Sequence, residues 1–124
     1  MTKGFSIKER LKSFVYALNG IKYTLLTQHN FQIQITLALI AILLGFLLEI
    51  SWFEWISIII VIGMVLAAEI FNSSIEELTN LISPEKNKIA GIVKDISAGA
   101  VLILAISALI TGTIIFLPKI LALL

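Results

Sequence analysis

The sequence predicts an all-α integral membrane protein, in which one amphipathic surface helix is followed by three transmembrane helices. Two observations support this fold class. Of the 124 residues, 59% are hydrophobic and 14% are charged, and the mean hydropathy of +1.05 is too high for a soluble domain of this size. Three apolar stretches are also long enough to cross about 30 Å of hydrocarbon as helices. We therefore interpret residues 1–124 as a single membrane-embedded domain.

The N-terminal segment, residues 6–28, has the pattern of a basic amphipathic helix at the membrane surface. Ser6-Ile7-Lys8-Glu9 has the S-x-x-E form of a capping box, in which the serine and glutamate side chains satisfy free amides of the first turn. Apolar residues then recur at spacings of three and four, and basic residues lie between them. The apolar positions are Ile7, Leu11, Phe14, Val15, Leu18, Ile21 and Leu25.

The first transmembrane helix is predicted at residues 31–48, after the polar break Gln28-His29-Asn30. Gln32 and Gln34 lie near its start. If they are at membrane depth, they must face protein, because an unpaired amide is costly in hydrocarbon.

The second transmembrane helix is predicted at residues 53–81. The stretch at its start, residues 49–54, is short and acidic, and it contains Trp52 and is followed by Trp55. Such a composition is typical of a turn at a membrane interface, where aromatic rings are enriched.

The third transmembrane helix is predicted at residues 84–118, with its first turns outside the membrane. Ser83-Pro84 offers a cap residue followed by proline at the first helical position. No charged residue occurs from Ile96 to Leu117. Small residues that allow close helix approach are Gly91, Ala98, Gly99 and Ala100.

The basic residues predict the orientation of the chain. Of the nine, only Lys119 lies beyond the third span, and the others lie in the N-terminal segment or between spans two and three. By the positive-inside rule, the N-terminus is cytoplasmic and the C-terminus is outside. The eight on the cytoplasmic side are Lys3, Lys8, Arg10, Lys12, Lys22, Lys86, Lys88 and Lys94.

A polar face follows the uncharged run from Trp55 to Ala68. At about 100° per residue, its members fall within an arc of roughly 100° on one helix. A carboxylate in hydrocarbon costs several kcal/mol, so such residues normally face a protein interior and have a function. Alternatively, the helix leaves the bilayer here, and we interpret Glu77 in that way. The members of the face are Glu69, Asn72, Ser73, Glu76 and Asn80.

Carboxylates, amides and a lysine at the cytoplasmic end are suited to phosphoryl transfer. Carboxylates hold a divalent metal against phosphate oxygens, a lysine neutralises developing charge, and a carboxylate accepts a hydroxyl proton. The chain has no P-loop and no cysteine, which excludes a thiolate metal site, and nothing indicates a nucleic-acid partner. An ion-coupled carrier remains the alternative, although a transporter's carboxylate more often lies at the midplane.

Two segments of the chain match a known signature. They are Ala68–Glu76, A-E-I-F-N-S-S-I-E, and Lys94–Leu102, K-D-I-S-A-G-A-V-L. Both closely resemble the small bacterial diacylglycerol kinase and undecaprenol kinase family, and the likeness covers nearly the whole chain. It implies a homotrimeric helical bundle in the bacterial cytoplasmic membrane. Such an enzyme uses ATP and Mg²⁺ to phosphorylate the hydroxyl of diacylglycerol or undecaprenol.

The resemblance also implies roles for particular residues. Glu69 would be the catalytic base for the lipid hydroxyl, with Asn72 and Ala98 beside the lipid substrate. Glu76 and Gln28 would hold the metal. Arg10 lies one place from a family arginine, so we assign it no role. The nucleotide contacts implied are Tyr16, Gln28, Glu76, Glu85, Lys86, Asn87, Lys94 and Asp95.

Gln28 departs from the family, which usually has a glutamate at this position. A glutamine offers one neutral oxygen, whereas a hard cation prefers anionic oxygen. The glutamine therefore predicts a weaker metal site. A neighbour such as His29 either compensates for the lost charge or does not. An alternative therefore stays open, in which the protein is a catalytically impaired family member that acts as a membrane scaffold or nucleotide binder.

Overall fold

The computed structural model describes residues 4–124 as four α-helices joined by short connections. Three of them are long and apolar enough to cross a membrane, which confirms the all-helical class with three candidate spans. The surface position of the first helix and the homotrimer stay predictions. The helices are α1 (Ile7–Thr27), α2 (His29–Leu47), α3 (Trp52–Ile82) and α4 (Lys88–Ala122).

The first three helices begin at residues whose side chains or backbone favour a helix start. Ser6 Oγ accepts a hydrogen bond from the Glu9 amide at 3.4 Å, which is one of the two contacts of the predicted capping box. A complete capping box forms at α3, where Ser51 and Glu54 bond each other's backbone amides. Gln28 separates α1 from α2 with an extended backbone.

The start of the last helix corrects the sequence prediction. The predicted start at Pro84 is wrong, because Ser83 ends α3 and α4 begins at Lys88. The Asn87 side chain accepts hydrogen bonds from the Ile89 and Ala90 amides at 2.8 and 3.4 Å, and so satisfies two free donors of the first turn. The serine hydroxyl instead donates to the Glu85 carbonyl at 3.1 Å, within the connection.

The two longest helices, α3 and α4, run antiparallel and are joined by the short connection 83–87. At the end opposite this connection lies the apolar core, formed by Ile50, Ile58, Ile115 and Phe116. There an ion pair of 3.4 Å joins Lys119 Nζ to Glu54 Oε1. The packing fixes α4 against α3, so the polar residues at the connection end of both helices share one region.

Close packing also holds α2 against the start of α3. A Cβ on Gly45 would lie 2.7 Å from the Trp55 ring and 3.1 Å from Ile50 Cδ1, so no larger residue fits without movement. The tight approach sets the register of α2 on α3, and therefore which residues of α2 reach the polar face of α3.

Candidate active site

Glu69 is the most deeply buried carboxylate of the polar face. Only 1% of its surface is exposed, and it lies on α3 between Ala68 and Ile70 in the sequence. Its Oε2 atom accepts a hydrogen bond from Gln34 Nε2 of α2 at 3.3 Å. Ser73, also buried, donates its hydroxyl to the Glu69 carbonyl at 2.9 Å and so stays within the helix. A buried carboxylate is costly unless hydrogen-bond donors satisfy it, so the hydrogen bond from Gln34 is the main local support of the Glu69 side chain.

Asn72 and Glu76 form the next turn of the same face. Asn72 Nδ2 donates a hydrogen bond to Glu76 Oε1 at 3.3 Å, and Asn72 is only 7% exposed. Glu76 is half-buried, between Glu69 in the interior and the connection at the helix end. The structure thus places both carboxylates and the amide along one stripe, as their spacing predicts.

Asn80 lies at the edge of the stripe and is exposed. Its Oδ1 accepts a hydrogen bond from Lys94 Nζ of α4 at 2.7 Å. This contact links the polar end of α3 to the K-D motif of α4. The lysine is thereby held over the connection between the two helices.

A pocket of about 430 Å³ opens at this connection. It includes three residues assigned to the nucleotide, namely Glu85, Lys86 and Asn87, together with Lys94. The Asn87 oxygen already caps α4, so only its NH2 group remains for a ligand. The pocket is lined by Asn80, Ser83, Pro84, Glu85, Lys86, Asn87, Lys88, Ala90, Gly91 and Lys94.

Four other assigned residues lie outside this pocket. Asp95 and Ala98 are exposed on α4, and Tyr16 is 68% exposed on α1. Gln28 is half-buried between α1 and α2, and its side chain makes no cap hydrogen bond to α2. A single chain therefore gathers the loop residues and Lys94 but leaves Tyr16, Asp95 and Ala98 facing outward.

A contact from α1 reaches the same stretch of α3. Tyr23 donates its hydroxyl to Glu77 Oε1 at 3.2 Å, and the carboxylate raises the pKa of the Tyr23 hydroxyl above its ordinary range. The sequence predicts Glu77 to be an ordinary charge at the headgroup level, and this contact between helices is not visible in it. The pair connects α1, on which Tyr16 lies, to α3, on which Glu76 lies.

The donor set near Glu76 fits Mg²⁺ bound together with a nucleotide. Among residues 4–124, no three His, Cys, Asp or Glu side chains gather at a metal site. Glu76 nevertheless offers a carboxylate, and Asn72 Oδ1 beside it is buried without a hydrogen-bond partner in the described chain. Mg²⁺ is usually held by one or two carboxylates plus substrate phosphates.

An apolar groove of about 550 Å³ runs between α2, α3 and α4. Gln34 lines it, and this amide also bonds Glu69, so the groove has a polar site in a largely apolar wall. Gln34 is predicted from the sequence to face protein, but no pattern in the sequence indicates a role for it at the site. Apolar residues that line the groove include Leu37, Ala41, Leu44, Ile62, Leu66 and Phe116.

The sequence of this chain is similar to sequences of known proteins. The model of the family described as prokaryotic diacylglycerol kinase matches residues 15–116. The undecaprenol kinase of Bacillus subtilis (strain 168) is 41% identical over 108 residues, which cover 87% of this chain and 88% of that protein. The diacylglycerol kinase of Haemophilus influenzae is 31% identical over 117 residues, 94% of this chain and 99% of that protein. The diacylglycerol kinase of Escherichia coli (strain K12) is 28% identical over 114 residues, 92% of each chain.

Proposed function

The chain belongs to the prokaryotic diacylglycerol kinase family, and from that premise we propose that it transfers the γ-phosphoryl group of MgATP to the hydroxyl of a membrane lipid. One observation supports the proposal most. A carboxylate that is 1% exposed lies on the polar face of α3 and bonds a residue that lines an apolar groove. A lipid alcohol needs both features, a proton acceptor and an apolar surface for its chain.

Each residue of the proposed site has a separate role in the reaction. Glu69 accepts the hydroxyl proton while the hydroxyl oxygen attacks the γ-phosphorus, and the bond from phosphorus to the bridging oxygen of ADP breaks. Lys94, oriented by Asn80, neutralises charge on the phosphates. Glu76 and Asn72 would hold the metal, with Gln28 as a further oxygen donor. When bound, Mg²⁺ offsets the negative charge of the phosphate oxygens.

We propose undecaprenol as the first acceptor to test, with diacylglycerol as the second. The support is the 41% identity to an undecaprenol kinase, compared with 31% and 28% to two diacylglycerol kinases. Both lipids present one hydroxyl at the headgroup level, so the same carboxylate serves either one. The two acceptors differ in the apolar part of the lipid, which must fit the apolar groove.

The test is a kinase assay on the purified protein in lipid, with labelled ATP, Mg²⁺ and either acceptor. We expect labelled lipid phosphate with undecaprenol, and a lower rate or none with diacylglycerol at the same mole fraction. Reactions without Mg²⁺ or without acceptor are the controls. A higher rate with diacylglycerol would reverse the choice of acceptor. No product with either lipid, while ATP still binds, would instead favour the catalytically impaired scaffold.

We also propose that the N-terminus and the connection 83–87 face the cytoplasm, because eight of the nine basic residues lie on that side. Single cysteines can be introduced without background, since the chain has none. We expect a membrane-impermeant thiol reagent to label Leu124→Cys but not Lys88→Cys in intact cells. The reverse labelling would separate the site from cytoplasmic ATP and contradict the proposal.

A further inference from the structure

The contact between Gln34 and Glu69 joins two helices at the buried carboxylate. We propose that Gln34 is a positioning residue, which orients the Glu69 carboxylate for proton transfer from the lipid hydroxyl. The inference rests on the proposed function of Glu69. The geometry behind it is the hydrogen bond of 3.3 Å from Gln34 Nε2 to Glu69 Oε2, made between residues 35 positions apart.

The chemistry of the pair determines what the contact does. An ionised carboxylate only accepts hydrogen bonds, so the NH2 group of the glutamine faces it and the amide oxygen points away. The bond occupies Oε2 and leaves Oε1 for the proton of the hydroxyl. Because Glu69 is almost fully buried, water cannot replace this donor without opening the site.

The amide has no second role within the described residues. Gln34 Oε1 is buried and has no hydrogen-bond partner in residues 4–124, so the side chain does not tie α2 to any other polar group there. A buried acceptor without a partner is costly. An apolar side chain of the same length would avoid that cost if the position served packing alone.

Gln32, on the same helix, offers a contrast. Its Nε2 donates to the Leu25 carbonyl at 2.9 Å and so stays at the junction of α1 and α2. Both glutamines are half-buried polar residues near the start of α2. Only Gln34 reaches α3, so the two positions provide a matched pair for substitution.

The first test compares Gln34→Met with Gln32→Met in the kinase assay. A hydrogen bond to a charged group is stronger than one between neutral groups, so we expect kcat to fall about tenfold or more for Gln34→Met. The KM for ATP should change less than about twofold, because Gln34 lies outside the pocket at the connection 83–87. Gln32→Met should retain kcat within about threefold. Gln34→Asn is the second variant, since it keeps an amide but withdraws it by about 1.5 Å, and it should show the same loss.

The decisive measurement repeats Gln34→Met in a Glu69→Gln background. If Gln34 acts through the carboxylate, the residual rate should not fall further, whereas independent effects would multiply. Full kcat in both Gln34 variants, or a further tenfold loss in the double variant, would overturn this proposal while the lipid kinase function stands. Absence of kinase activity in the unsubstituted protein would overturn both.

Discussion

Glu69→Gln is expected to lower the kinase turnover by about 10²- to 10⁴-fold, the range that general-base catalysis typically contributes. The substitution keeps the size of the side chain and an oxygen that can accept the hydrogen bond from Gln34. It removes the negative charge and with it the capacity to take the hydroxyl proton. The KM for ATP should remain nearly unchanged, because the pocket proposed for the nucleotide lies at the connection 83–87 and does not include this residue. Steady-state rates at saturating ATP and lipid measure the effect.

Glu77→Gln is the matched control for this prediction. It makes the same chemical change on the same helix, at an exposed carboxylate whose contact is with Tyr23. We expect its turnover to stay within about twofold of the unsubstituted protein. A Glu69→Gln enzyme that keeps most of its rate would show that another group accepts the proton.

Gln28→Glu is expected to raise the apparent affinity for Mg²⁺ by about ten- to a hundredfold, or about 1.4–2.8 kcal/mol. At an effective dielectric near 20, a unit charge roughly 4 Å from another is worth on the order of 4 kcal/mol, and dehydration of the new carboxylate offsets part of it. The Gln28 side chain makes no cap hydrogen bond to α2, so the exchange breaks no helix cap. The measurement is the kinase rate as a function of Mg²⁺ concentration, with the largest gain expected at limiting metal.

Asn30→Asp controls for the general effect of added negative charge. It introduces the same charge two residues further along the chain, at an exposed position in the first turn of α2. Its Mg²⁺ dependence should match that of the unsubstituted protein. If the curves for Gln28→Glu and the unsubstituted protein superimpose, residue 28 is not a metal ligand in this protein.

The stripe of Glu69, Asn72 and Glu76 could be predicted from the sequence because all three residues lie on one helix. Helical rotation is fixed by the backbone, so a spacing of three or four residues determines a shared face whatever surrounds it. The family signature in Ala68–Glu76 covers the same residues. Spacing and resemblance therefore agree on this part of the site.

The start of α4 shows where local patterns compete. Ser83-Pro84 and Asn87 are both good helix-start signals, and they lie within five residues. The structure uses Asn87, while Ser83 ends α3 and bonds within the connection. The outcome also shapes the pocket at the connection, because residues 84–87 form a loop there and not a helical turn.

The sequence by itself determined the membrane class, the three apolar helices and the carboxylates on one face of α3, because each depends on composition or on a spacing within one helix. Only the tertiary structure decided the pairs Gln34 with Glu69, Lys94 with Asn80, and Tyr23 with Glu77. Partners of each pair lie on different helices, and their meeting depends on how those helices pack. The register set by contacts such as Gly45 against Trp55 is a sum of many small van der Waals terms, which no spacing in the sequence reveals.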